Sequence, residues 1–203
     1  SRLDRVKELR LKSSKKETRE SLALTPHKFQ HKAKEQENWA IIVPRVSSEN
    51  REYLPVGLVP KRAVISDAAF ELIDAPLLNL SIIASRMHLI WISTVCGKLK
   101  TDFRYSNSLG WNTFPLPSLI VKNKEDLTAC AEEILIARER HFPATIADLY
   151  DPDNMPEDLR RAHDRNDEVL ERIYIGRRFK NDTERLEKLF ELYTKMTSKE
   201  KAA

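Results

Sequence analysis

The run from Leu77 to Leu99, LLNLSIIASRMHLIWISTVCGKL, is the most apolar stretch in the chain and decides what the rest can fold around. Leu80, Ile83, Ala84, Met87, Ile90, Trp91, Thr94, Val95 and Lys98 follow the i, i+3, i+4, i+7 spacing of one helical face. Ile82, Leu89, Ile92 and Cys96 widen that stripe, so the spacing predicts a helix buried around most of its circumference. The run approaches the roughly 20 residues that cross a bilayer. Asn79, Ser85, Arg86, His88 and Ser93 interrupt it, and an Arg-x-His pair in hydrocarbon is costly. A core helix is expected, with no membrane partner.

Beyond it, Lys98, Lys100, Asp102 and Arg104 alternate with Leu99, Thr101, Phe103 and Tyr105. In an extended segment this places the charges on one face and mostly apolar groups on the other. Such a row can enter a DNA major groove, where Lys or Arg reads guanine O6/N7 and Asp accepts from cytosine N4. The same pattern also suits a half-buried strand whose charged face is solvated.

Charge is distributed unevenly. Through Asn38 there are 11 Lys and Arg against 6 Asp and Glu; the whole chain carries +4, so the remainder is slightly acidic. Arg5, Arg10 and Lys12 in that basic third are candidates for a phosphate-facing surface, although a solvated helix face has the same composition. Cys96 and Cys130 lack any CxxC partner and are read as small buried thiols in a reducing compartment. The four glycines, Gly57, Gly97, Gly110 and Gly176, are too dispersed to cradle a nucleotide. His27, His31, His88, His141 and His163 lack metal spacing, and His88 reads as a buried structural histidine. Pro152-Asp153 is followed by no Asp/Glu-x-Lys triplet, so two-metal phosphodiester chemistry has no visible ligands. By itself the chain is expected not to be an enzyme, and to hold neither cofactor nor metal.

Taken in order, residues 1–24 are helix-prone and 29–38 polar and irregular. Strands are expected at Trp39–Val43, Tyr53–Val59 (an edge or bulged one, given Pro55), Val64–Asp74 and Lys98–Tyr105. Between the first two, Arg45, Ser47, Ser48, Glu49 and Arg51 form a loop suited to phosphates and base edges, or to satisfying its own backbone. Lys61 and Arg62 make a basic turn. From Asn123 onward three amphipathic helices follow, with Gly176 at a C-cap and Asn181 with Glu184 opening the last. The fold class expected is α+β: a small mixed sheet on a long buried helix (1–120), then a helical bundle (121–203).

Several strings occur in one order: VPRVSSENR (43–51), ISD (65–67), SRMHLIW (85–91), GKLKTDFRYS (97–106), NTFPLP (112–117), IADLYD (146–151) and PEDLRRAH (156–163). Together, over nearly the whole chain, they resemble the C-terminal end of the MmeI-like restriction–modification proteins. In that family one long chain joins a nuclease, an adenine-N6 methyltransferase, a target recognition domain and a helical C-terminal domain. No Asn/Asp-Pro-Pro-Tyr motif or S-adenosylmethionine glycine loop occurs here. The resemblance therefore implies a recognition domain with its helical tail, and double-stranded DNA and the parent's methyltransferase domain as partners. S-adenosylmethionine would belong to that domain, and the setting would be a prokaryotic cytoplasm. It further implies that Lys100 and Asp102 read a base pair, Lys100 donating to guanine and Asp102 accepting from its cytosine. Arg45, Ser47, Ser48, Glu49, Arg51, Lys61, Arg62, Lys98, Thr101 and Arg104 are expected DNA contacts. Phe103 and Trp111 stand where a Tyr is expected. The alternative is a docking module of the same enzyme that reads no bases.

Overall fold

The computed structural model describes residues 1–28, 37–61 and 63–200. By compactness the chain divides into residues 1–35 and 36–203. The first unit holds α1 (Arg2–Leu11), α2 (Lys16–Glu20) and a 3₁₀ turn at Leu22–Leu24. Ser1 caps α1 reciprocally: its hydroxyl accepts from the Asp4 amide and its ammonium meets the Asp4 carboxylate at 2.7 Å. α1 buries none of its residues. The unit is tied instead by Arg10, whose guanidinium donates to the Leu22, Thr25 and Lys28 carbonyls at 2.8, 2.9 and 2.8 Å. That binding withdraws Arg10 from the expected phosphate surface. Most of the irregular 29–38 stretch lies outside the described residues.

In the second unit, β1 (Trp39–Pro44) is the centre of an antiparallel sheet, with β3 (Gly57–Pro60) on one side and β4 (Ala69–Ile73) on the other. Its partnered position explains its sequence: Ala40, Ile41 and Val43 are fully buried. Gly57 lies opposite Ile42, where a Cβ would stand 2.8 Å from Ile42 Cγ1, so a larger residue would push the strands apart. Tyr53, Leu54 and Val56 are buried, but they fill the core from a loop, and the expected strand begins only at Gly57. Likewise only residues 69–73 of the expected 64–74 strand pair. The single mixed sheet expected is replaced by two antiparallel ones. Pro44 ends the first, and β2 (Val46–Ser47), β5 (Gly97–Leu99) and β6 (Asp102–Arg104) form the second in the order β2-β6-β5.

The core run is two helices rather than one. α3 (Leu78–Ile83) stops before Ser85, whose backbone is extended, and α4 (Arg86–Val95) starts after it. Ser85 Oγ accepts from the His88 amide at 3.2 Å and donates to the Ile82 carbonyl at 2.6 Å, so one hydroxyl caps both ends. Six consecutive residues, Met87 to Ile92, are buried, as a helix enclosed on all sides requires. The tail helices α5 (Val121–Glu139), α6 (Ile146–Leu149), α7 (Glu157–Ile175) and α8 (Asp182–Glu200) lean on this centre. Ala131, Ile134, Leu159 and Ala162 share one apolar cluster with Ile41, Val43 and Leu54, while Leu127, Leu170 and Leu189 join Ile82, Met87 and Trp91 in a second. Gly176 ends α7 at φ 76°, the left-handed cap that favours glycine. The α+β class follows, with the helices completing the core of the sheets. No helix among the described residues is long and apolar enough to cross a membrane.

His88 is fully enclosed, with its Nε2 3.0 Å from the Tyr105 hydroxyl, and burial lowers its pKa to about 3. An imidazole in the unfolded chain titrates near 6.5. With the folded pKa depressed, the unfolded state binds the extra proton, so this contribution to stability is complete above about pH 6.5 and lost as pH falls toward 3. His88→Gln should make unfolding free energy less steep by up to about 1.4 kcal/mol per pH unit between about pH 4 and 6, read by urea denaturation across that range. An unchanged slope would contradict a buried neutral imidazole.

Candidate nucleic-acid interface

β5 and β6 form a hairpin closed by two residues, Lys100 and Thr101, with Leu99 opposite Asp102, Lys98 opposite Phe103 and Gly97 opposite Arg104. Lys100 holds φ 59°, at the first turn position, where a hairpin ordinarily uses glycine, Asn or Asp. The single extended row expected over 98–105 is therefore folded back on itself. The physical reason is backbone satisfaction: β2 supplies only two residues of partner, and a lone arm would leave its N–H and C=O groups unpaired.

The turn changes which residues share a face. Side chains alternate along each strand, so Phe103, Lys98 and Ser47 lie on one side of this sheet and Asp102, Arg104, Leu99 and Val46 on the other. The first side turns inward at Phe103 and Ser47 but leaves Lys98 exposed. Phe103 packs on the core, Ser47 is buried, and Lys98 Nζ sits 5.7 Å over the Phe103 ring. The second side faces solvent, with Leu99 and Val46 exposed. Lys100 and Thr101 stand exposed at the tip and Asp102 half-buried beside them.

The loop between the sheets meets this hairpin. Arg45 is the crossing point: its amide donates to the Ala68 carbonyl at 2.9 Å and its carbonyl accepts from the Tyr105 amide at 2.8 Å. Its exposed guanidinium lies 4.4 Å over the Phe70 ring. Glu49 pairs with Lys98 at 3.2 Å across the surface. Ser48 serves its own loop, its hydroxyl accepting from Asn50 and its carbonyl from Arg51. Arg51 is half-buried and lines an open cleft with Ser48, Asn50, Asp151 and Asp153. The enclosed hydroxyl of Ser47 has no partner among the described residues, so it is withheld from solvent-side contact, a correction forced by its inward-facing register. Lys61 is exposed past the end of β3 on the other sheet, and Arg62 lies outside the described residues.

The ion pairing is selective. In the tail, Arg160, Arg172, Arg177, Arg178 and Arg185 each meet a carboxylate, Arg140 approaches Asp158 at 3.9 Å, and Arg138 donates to Tyr150 and the Val56 carbonyl. Arg161 and Arg165 are the exceptions among the tail arginines. Around the hairpin the balance reverses: among the described residues Lys100, Asp102, Arg104 and Arg51 have no side-chain hydrogen bond or ion pair. The residue missed in the sequence is Phe70 as a support. Phe70 carries no local signal, whereas Tyr105 sat in a noted string.

Comparison with known proteins places the chain. The family "MmeI, target recognition domain" matches residues 1–118, and "MmeI, C-terminal domain" matches residues 120–200. DNA methyltransferase A of Bacillus subtilis (strain 168) is 43% identical over 198 residues, covering 98% of this chain and 22% of that protein. The solved structure of the type IIL restriction-modification enzyme MmeI in complex with DNA superposes with a TM-score of 0.89 at 37% identity, covering 97% of this chain and 26% of that one. This chain therefore spans about a quarter of the relatives it matches.

Lys100 tests the turn itself. Left-handed backbone costs an L-residue roughly 1–2 kcal/mol that glycine avoids. Lys100→Gly should raise unfolding free energy by about 1 kcal/mol in urea denaturation; a loss of that size would contradict a strained turn. The matched families, the relative and the shared fold agree: the chain belongs to the MmeI family, carrying its target recognition and C-terminal domains.

Proposed function

We propose that this chain is the DNA-reading part of a MmeI-type adenine-N6 methyltransferase, residues 1–120 recognising double-stranded DNA and 121–203 bracing them. The observation that carries the reading is the contrast in pairing: most of the tail's arginines meet a carboxylate of this chain, while the hairpin offers Lys100, Asp102 and Arg104 unpaired among the described residues. A two-stranded ribbon fits the major groove, and a donor beside an acceptor suits the two members of a G·C pair. The MmeI structure to which this chain is similar was solved in complex with DNA, which supports the partner. In this reading Lys100 donates to guanine and Asp102 accepts from cytosine, a pairing made across the hairpin tip. Arg45, Arg51, Arg104, Lys61 and Arg62 engage phosphates, which set affinity without reading sequence. Methyl transfer, with S-adenosylmethionine, belongs to the remainder of the parent chain, onto whose pocket the target base would be flipped.

Fluorescence-anisotropy titration with mixed-sequence duplex at two salt concentrations tests the binding. Affinity should fall steeply as salt rises, because each neutralised phosphate releases counterions. The Lys100→Glu, Asp102→Arg double variant should bind mixed duplex about as well as the parent sequence but select different sites from a randomised pool. Unchanged site preference would overturn base reading at this pair.

A further inference from the structure

The two parts of the candidate interface converge on one phenol. Tyr105 directly follows β6, and its amide holds the Arg45 carbonyl at 2.8 Å, so it joins the strand bearing Asp102 and Arg104 to the loop bearing Arg45. Its ring lies 5.9 Å from Phe70, the ring that carries the Arg45 guanidinium. On another side the π-helical turn Asn107–Trp111 closes on it, a Cβ at Gly110 standing 3.4 Å from Tyr105 Cζ. Packed rings limit tilting but resist sliding less; the hydroxyl sets the depth. Its partner is His88 Nε2 on α4, at 3.0 Å.

His88 is itself immobilised. Its amide is held by Ser85 Oγ, and its ring lies edge-on to Phe114 at 4.8 Å and to Trp111 at 6.1 Å. Yet its Nδ1 is buried without a hydrogen-bond partner among the described residues. Whichever tautomer is present, one ring nitrogen is left unmet, a penalty that an apolar residue of similar size avoids. A core that keeps a polar ring at such a penalty has a use for its other nitrogen.

We propose that His88 is a positioning residue for DNA reading: through its bond to the Tyr105 hydroxyl it fixes the depth and register of the β5–β6 hairpin and of Arg45, and hence which bases they meet. This rests on the hairpin's reading role proposed above. His88 touches no DNA. Its effect is on selectivity, because phosphate contacts tolerate small displacements that base-edge hydrogen bonds do not.

The test is selection of bound duplexes from a randomised pool by this chain and by Tyr105→Phe, His88→Leu and His88→Gln, with mixed-duplex affinity and thermal midpoint measured beside it. Tyr105→Phe and His88→Leu should lower the enrichment of preferred over random sites about tenfold while affinity for mixed duplex changes little. His88→Leu should do so without lowering the midpoint, which a purely structural role would not produce. His88→Gln, whose amide can reach the phenol, should restore most of the enrichment. Full enrichment in Tyr105→Phe would overturn the proposal, and it decides the matter should His88→Leu fail to fold. The Lys100→Ala, Asp102→Ala variant run in parallel separates the two claims. If its site preference equals the parent's, the hairpin's reading role fails; if its preference changes while Tyr105→Phe keeps the parent's, only the positioning role fails.

Discussion

The start of α4 depends on a carboxylate from a distant helix. Asp167 of α7 accepts the Arg86 amide at 2.8 Å, filling one of the donors that a helix N-terminus leaves open. Nearby, the Tyr53 ring stacks on His163 of the same helix at 4.2 Å. Burial dominates the electrostatics here: desolvation pushes the Asp167 pKa up to about 7, against the pull of the Arg86 amide. Beside it, Asn166 donates to the Ser81 carbonyl at 2.9 Å, holding α3 to α7. The helix that carries His88, and leads directly into the hairpin, is thus set in place by the tail. The matched boundary near residue 119 divides the sequence without dividing the core.

Charge is used in opposite ways at the two ends of this arrangement. Glu171 is fully buried and meets Arg185 at 2.5 Å; Arg185 also meets Asp182, which pairs with Arg86. Removing one partner of such a buried pair costs about 3–5 kcal/mol, because the other is left charged and dry. The exposed Lys98–Glu49 pair is worth about 1 kcal/mol at most. The tail and α4 therefore form a stiff body, whereas the hairpin has three-residue strands, a strained turn and few internal ties. A binding element gains from that division: its side chains stay free for a partner while its base cannot drift.

Much of this was readable in the residues. The buried helix around Trp91, the strand at Trp39–Val43, the Gly176 cap and the Asn181–Glu184 opening all carry local signals that the fold obeys. The helix break was readable in retrospect, since Ser85 is a good N-cap, but the apolar periodicity runs through it unbroken. The hairpin turn was not: Lys100 and Thr101 offer no glycine, Asn or Pro, and strict alternation of charge imitates one long strand. Consequently Lys98, expected beside Asp102, lies on the opposite side of the sheet with Phe103, exposed and paired with Glu49, and Leu99 takes its place. Nor does any local pattern announce that Asp167 and Glu171, on an ordinary-looking charged helix, would be enclosed. Such placements are decided by partners far along the chain.

The account's central claim is that DNA meets the hairpin and the loop beside it, with the tail acting as support. Amide hydrogen exchange of the chain, with and without duplex DNA at low salt, tests it most directly. The predicted result is added protection at residues 45–51 and 97–104, with α7 and α8 exchanging as in the free protein. Protection confined to α7 and α8, with the hairpin unchanged, would contradict it.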